Sequence, residues 1–278
     1  MTSYTTTGIN LKGSPLGESD RLITILSPDH GLLRLVAPGA RKHKSRLRGR
    51  SQLFTINELW IAKGRSLDRI SQAETVETYP QLSSNLGKLA AGQYLAELAL
   101  GVGVIEQPQE SLYLLLTEHL RRIEALSDLT YLHAYLCHGV FHLLAIAGIA
   151  PKLFDCCVSG ISITPNFVEP TWRVGLSFTG GGVVDLGQWR EQQLASQNPL
   201  SSVIKINSLI SATELCLFQQ LSQPQLSALG SLLPETAPLS EEAGWARVER
   251  LLRIYLEHHL ERPIRSAALL EGELSPDF

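Results

Sequence analysis

Five short runs of β-forming residues crowd into the first 80 positions, with only turn signals between them. The first covers residues 5–11. A second, 21–26, is followed by Ser27-Pro28-Asp29-His30-Gly31 and then by a third, 32–36, which Pro38-Gly39 ends. Spacing this tight predicts a hairpin. Residues 53–56 continue with 59–61 into a fourth strand, and Lys63-Gly64-Arg65 turns that strand into a fifth over 67–78. If Leu33 and Leu35 point inward, Arg34 between them points out.

After Pro80 the apolar period changes from two to three and four. Leu82, Leu86, Leu89, Ala90 and Tyr94 follow it, as do Leu112, Leu115, Leu116, Leu120 and Ile123. A central helix is expected over 129–148, ended by Pro151, and a short one over 207–221. The last helix is expected to start at Ser240, a capping residue followed by Glu241 and Glu242, whose charges suit the positive end of its dipole. Its apolar face is Trp245, Val248, Leu252, Tyr255 and Leu256, and Pro263 follows it. Residues 151–190 are irregular and β-branched, and the final 275–278 are expected to fray. The fold class is therefore α+β. A five-stranded barrel of the oligonucleotide-binding (OB) type over 1–80 precedes an α-helical domain over 81–278, with an irregular β-rich insertion at 151–200. A chain of 278 residues has room for about two such domains.

Charge is distributed unevenly. The whole chain has a formal charge of -3, yet residues 1–80 hold twelve Lys or Arg against seven Asp or Glu. Residues 39–50 read GARKHKSRLRGR, six cations without one acid. Two glycines and the preceding Pro38 make this segment a loop rather than a helical stripe. A cationic loop that follows a phosphate backbone gains affinity by releasing counterions, without sequence preference. Arg21, Arg41, Lys42, Lys44, Arg46 and Arg48 are the leading candidates for contact with a nucleic-acid backbone, and Arg34, Arg50, Lys63 and Arg65 rank second. Phe54 and Trp60, with Tyr4 behind them, are candidates for stacking on bases, although core packing suits the first two better.

Other functional classes find little support. No Gly-Lys-Ser or Gly-Lys-Thr follows Gly180-Gly181-Gly182, so a phosphate-binding P-loop fails and a tight turn is expected. His258-His259 lacks the zinc-protease spacing, and no Gly-x-Ser-x-Gly elbow occurs. An enzyme built around Cys156, Cys157 and Asp185 is the weakest alternative, and no catalytic residue is assigned. Cys137, Cys156, Cys157 and Cys216 form no spaced framework, and the polar opening residues 1–7 do not read as a signal peptide, so a reducing, cytoplasmic setting is expected. Residues 129–151 carry no charge with His neutral and are long enough to span a bilayer. Their three His, two Tyr and one Cys favour a buried helix, with no membrane involved.

Several segments together resemble the bacterial RecO family of DNA repair and recombination mediators. Pro15-Leu16-Gly17-Glu18-Ser19-Asp20-Arg21 looks like its opening block. Asp29-His30-Gly31 leading to Ala37-Pro38-Gly39-Ala40-Arg41-Lys42, then Lys44-Ser45-Arg46-Leu47 and Gln72-Ala73-Glu74, continue the likeness. Gly148-Ile149-Ala150-Pro151 and Tyr255-Leu256-Glu257-His258-His259-Leu260 extend it through most of the chain, with 155–200 as the main failure. The resemblance implies a non-enzymatic mediator that binds single- and double-stranded DNA and anneals complementary strands. It also implies partnership with RecR and with the acidic C-terminal tail of single-stranded DNA-binding protein, to help load RecA. An OB module for structured RNA with a helical protein-docking domain is the alternative.

Many relatives carry two Cys-x-x-Cys pairs after the central helix. Here Cys156 is followed at the partner position by Ser159, and Asp185 and Gln188 stand where the second pair belongs. One thiolate, one hydroxyl, one carboxylate and one amide do not make a structural zinc site, so no metal or other cofactor is expected, and packing or hydrogen bonds should take its place. Relatives also often have an Arg near His142. That position, with Arg121 and Arg122, is the candidate meeting point for the acidic tail.

Overall fold

The computed structural model describes residues 3–195, 204–226, 229–237 and 239–273. The tail expected to fray lies outside them. The chain falls into two compact units, Met1–Ala125 with Ile264–Phe278, and Leu126–Pro263.

The first unit contains the barrel. β1 (Ser3–Leu16), β2 (Asp20–Ser27), β3 (Gly31–Ala37), β4 (Ile56–Ala62) and β5 (Asp68–Glu77) close in the order β1-β2-β3-β5-β4. β1 is long enough to serve two neighbours. Its first half pairs antiparallel with β4, from Ser3↔Ala62 to Ile9↔Ile56, and its second half with β2, from Ile9↔Leu26 to Leu16↔Asp20. The closing seam is a short parallel contact, Leu35↔Asp68 and Val36↔Arg69. Alternation places Ile23, Ile25, Leu33, Leu35, Leu59, Ile61, Ile70 and Ala73 in one buried core, and Arg34 outside it.

Two expectations about this region need correction. Residues 53–55 are not strand. Phe54 has φ 59°, a left-handed conformation that breaks a ladder, and its ring is 1% exposed. The basic segment is also not loop throughout, because Leu47–Arg50 closes one helical turn, α1. Leu47 supplies the reason by packing on the barrel core.

Gly31 explains the turn between β2 and β3. Its φ is +63°, and a Cβ there would run into the backbone carbonyls of Val104 and Gln107. The helices of this unit are α2 (Pro80–Ser84), α3 (Leu86–Val102), α4 (Glu110–Ala125) and α9 (Ala267–Glu273). Asn85 caps α3 by accepting the Lys88 N–H at 2.9 Å. α3 packs against α2, α4, α9 and β1.

The second unit holds α5 (Leu132–Ile146), a three-stranded sheet of β6 (Arg173–Ser177), β7 (Gly182–Val184) and β8 (Ser208–Ser211), and the helices α6 (Leu186–Ala195), α7 (Ala212–Gln220) and α8 (Glu241–Leu260). The span Leu129–Ile146 has the length and hydropathy of a membrane helix, but most of α5 is buried in protein and packs on α8. Gly180 and Gly181 form the turn between β6 and β7, as a tight turn requires. The helix expected from 207 begins only at Ala212. Residues 208–211 pair with β6, and Ser211 and Glu214 then close a reciprocal capping box. α8 starts as expected, Ser240 accepting the Ala243 N–H at 3.2 Å, and its five apolar residues are all buried.

Candidate nucleic-acid interface

The basic segment leaves the barrel at Ala37 and returns at Ile56, and both of its ends are tied down. At the entry, the Asp20 carboxylate accepts the Gly39 N–H at 2.8 Å and the Ser19 hydroxyl at 2.9 Å, and lies 3.9 Å from the Arg69 guanidinium. The Gly39 amide, then the Ser19 hydroxyl, and with smaller weight Arg69 and Lys42, hold the Asp20 carboxyl below the usual carboxylate range. Arg41 adds two bonds across the entrance. Its N–H donates to the Ser19 carbonyl at 2.9 Å and its Nη1 to the Gly17 carbonyl at 2.8 Å. Ala40, 3% exposed, plugs into the barrel core.

At the exit, Asn10 and Asn57 reach out of the barrel. Asn10 Nδ2 donates to the Arg50 carbonyl at 2.7 Å and to the Gln52 carbonyl at 2.8 Å, and Asn57 Nδ2 donates to the same Arg50 carbonyl at 2.9 Å. Thr75 donates to Asn57 Oδ1 at 3.1 Å. Arg21, half-buried, lays its side chain over Gly13 and donates to the Ser51 carbonyl at 3.2 Å.

Between these anchors Arg41, Lys42, Lys44, Arg46 and Arg48 are exposed, and Arg50 is half-buried. Among the described residues none of the six forms an ion pair with a carboxylate. Two hollows flank α1. One, of about 570 Å³, is lined by Arg46, Gly49, Arg50, Thr55, Thr75 and Thr78. The other, of about 510 Å³, is lined by Arg46, Leu47, Arg50, Ser71, Gln72, Ala73 and Glu74. The arrangement is a fixed cationic ridge beside two open hollows, which suits a polyanion.

The remaining candidates are more dispersed. Arg34 lies on the outer face of β3, opposite Thr24. Lys63 and Arg65 occupy the exposed turn between β4 and β5, with Lys63 Nζ 5.9 Å from the centre of the Tyr4 ring. The parallel seam brings that turn to the entry side of the basic segment, along with Arg69. Arg69 carries no local sequence signal, because only the seam reveals its neighbours. Tyr4 donates its hydroxyl to Asp68 at 2.9 Å, and burial followed by this bond pushes its pKa well above the usual phenol range.

The partner candidates do not present bare charge. Arg121 bonds both Glu77 oxygens at 3.1 and 3.2 Å and Glu118 at 3.1 Å, while Arg122 bonds Glu118 at 2.9 Å. His142 stands in the other unit, half-buried, its ring centre 4.1 Å from that of His138.

In the second unit the four degenerate metal positions are drawn together by hydrogen bonds. Cys156 Sγ accepts the Asp185 N–H at 3.3 Å, and Asp185 Oδ1 accepts the Gln188 N–H at 2.9 Å to cap α6. Burial raises the Cys156 thiol, but the Ser159 hydroxyl and the amides of Ser159, Asp185 and Val158 outweigh it and bring the group below the ordinary thiol value. Cys157 moves the other way, through burial and then the neighbouring Cys156. A single thiol whose sulfur already accepts amide protons, with a carboxylate oxygen serving as a helix cap, does not fit a structural zinc ion.

A closed five-stranded barrel in this strand order defines a protein of the OB-fold class. The family profile "Recombination protein O N terminal" matches residues 1–79, and "Recombination protein O C terminal" matches residues 83–198. Curated relatives include the "DNA repair protein RecO" of Gloeothece citriformis, 50% identical across 99% of both chains. That of Trichodesmium erythraeum is 49% identical across 98% of this chain and 94% of its own, and that of Nostoc sp. is 46% identical across 97% and 96%. The chain belongs to the RecO family of DNA repair and recombination proteins.

Proposed function

We propose that this chain is a recombination mediator that binds single- and double-stranded DNA, anneals complementary strands and, with RecR, helps RecA replace single-stranded DNA-binding protein. The observation that carries the reading is the run of six cations that have no ion-pair partner among the described residues, pinned to the barrel at both ends. A fixed cationic ridge screens the repulsion between two phosphate backbones, so annealing calls on no catalytic group and no cofactor. RecR, the acidic tail of single-stranded DNA-binding protein and action in the cytoplasm come to this reading from family membership. Arg121, Arg122 and His142 remain the proposed contacts for the tail, which must compete with Glu77 and Glu118 for both arginines.

The test is fluorescence anisotropy of labelled single-stranded DNA across a salt series. The wild type is compared with the combined Arg41→Ala, Lys42→Ala, Lys44→Ala and Arg46→Ala variant. The variant binds more weakly, with a salt slope shallower by up to about 0.7 for each lost phosphate contact. Unchanged affinity and slope in a folded variant would sink the assignment of this ridge. A clear preference for RNA of the same sequence would favour the RNA module instead.

A further inference from the structure

OB barrels commonly hold single strands by stacking bases on exposed aromatic rings, but the phenyl, phenol and indole rings of this barrel are mostly buried or already committed to protein partners. Phe54, Tyr79 and Tyr94 are each under 4% exposed. Tyr4 is fixed edge-on against His30, with its hydroxyl on Asp68. Tyr113, on α4, lines a hollow with Glu77 and Arg121 in which none of the six ridge cations takes part. Among the phenyl, phenol and indole rings that leaves Trp60, half-buried on the outer face of β4.

Trp60 stands opposite Gln72. The next pair on the same face is Glu58 opposite Glu74, both exposed. Like charges directly across a strand pair repel each other, and they repel a phosphate as well. A nucleotide stacked on Trp60 would bring its phosphate beside these two carboxylates, of which Glu74 also lines the second α1 hollow with Arg46 and Arg50. The first α1 hollow has no acid in its lining, and there Arg46, Arg50 and Thr78 offer donors while Thr75 has committed its proton to Asn57. These groups match phosphate and sugar oxygens, and no ring in the lining matches a base.

We infer that this interface holds nucleic acid by the sugar–phosphate backbone alone, leaving the bases turned outward and free to pair. The inference rests on the proposed DNA-binding function and adds what that function recognises. A strand held in this way is already presented for annealing, because no base has to leave a protein ring before pairing.

Anisotropy competition provides the test, using the full chain. A labelled strand is displaced by an unlabelled strand, by an abasic strand of the same length and by inorganic polyphosphate, and the first two are repeated with Trp60→Ala. Affinity for the abasic strand stays within about twofold, against the roughly five- to 150-fold loss that removing one stacked base brings. Polyphosphate displaces the strand, and Trp60→Ala leaves affinity unchanged. An abasic strand that binds at least about fivefold more weakly, or an equal loss in folded Trp60→Ala, overturns the inference while DNA binding itself stands. Failure of every polyanion to bind overturns the underlying function as well. The abasic comparison uses unaltered protein, so a misfolded variant cannot obscure the result.

Discussion

Asn10 and Asn57, on two adjacent strands of the barrel, converge on one backbone oxygen, the carbonyl of Arg50, at 2.7 and 2.9 Å. Both asparagines are essentially fully buried. Their amide protons therefore leave the barrel interior to fix the end of the cationic segment. Such fixing reduces the conformational entropy that the segment has left to lose when a strand arrives.

Asn57→Ala tests this clamp. It removes one of the two donors to the Arg50 carbonyl, which keeps Asn10, and deprives the exposed Thr75 hydroxyl of its acceptor. Loss of stability by about 0.5–1.5 kcal/mol is expected from urea unfolding. DNA affinity falls a few-fold in the folded variant, while the salt slope holds because every cation is still present. A slope that drops along with affinity would mean that the clamp acts by removing phosphate contacts, not by ordering the segment.

The entry anchor gives a pH signature. The carboxyl of Asp20 is depressed in the folded protein, chiefly by the Gly39 amide and the Ser19 hydroxyl. Its contribution to stability is therefore full above the unfolded value, about 3.9, and is lost as the pH falls below that through the folded value. Asp20→Asn lacks this contribution at neutral pH. The stability difference between variant and wild type should shrink on acidification below about pH 4. A difference constant across that range would show that the carboxylate charge does not matter and that the amide substitutes for it fully.

How much of this was legible in the sequence depended on the range of the interaction. The barrel strands and their turns announced themselves through period-two alternation and Gly or Pro punctuation, which act over a few residues. The cation run was visible as composition. The α8 start was visible too, because Ser240 and the two glutamates after it are local signals. The clamp was not visible, since Asn10 meets a carbonyl 40 residues away and an Asn inside a strand carries no local signature. Asp20 and Arg69 were opaque for the same reason, being joined only through the parallel seam of β3 and β5. Residues 53–55 look like strand by composition, and what overrides them is the left-handed Phe54 that buries its ring. The Ser211–Glu214 capping box was a readable local signal within the expected helix, and it marks the true start of α7.

The degenerate metal knuckle should depend on its remaining sulfur. Cys156 is 2% exposed, and its Sγ accepts the Asp185 amide. Cys156→Ala removes the acceptor of that half-buried amide and empties a buried side-chain site, and costs about 1–3 kcal/mol. Cys156→Ser restores an acceptor and recovers part of the loss. Thermal unfolding of the wild type should not respond to chelator, because hydrogen bonds hold these turns together. A chelator-induced fall in Tm, with zinc recovered from the purified protein, would contradict this account of the site.

Phe54 separates packing from binding. It follows directly on the basic segment, where an exposed ring would be a natural stacking partner, yet it is buried. Its ring also sits where Gly92 of α3 lacks a side chain, with Phe54 Cζ 3.1 Å from the place a Cβ would take. Phe54→Ala should therefore cost about 3–5 kcal/mol, the range for emptying a large aromatic site. Gly92→Ala should change stability far less, because the ring has to give only a few tenths of an ångström and the added methyl favours the helix by about 1 kcal/mol. Both variants, assayed below their unfolding midpoints, should bind single-stranded DNA with the wild-type salt slope, since neither removes a cation. Loss of affinity in Phe54→Ala without loss of stability would reverse the assignment and make the ring a contact for bases.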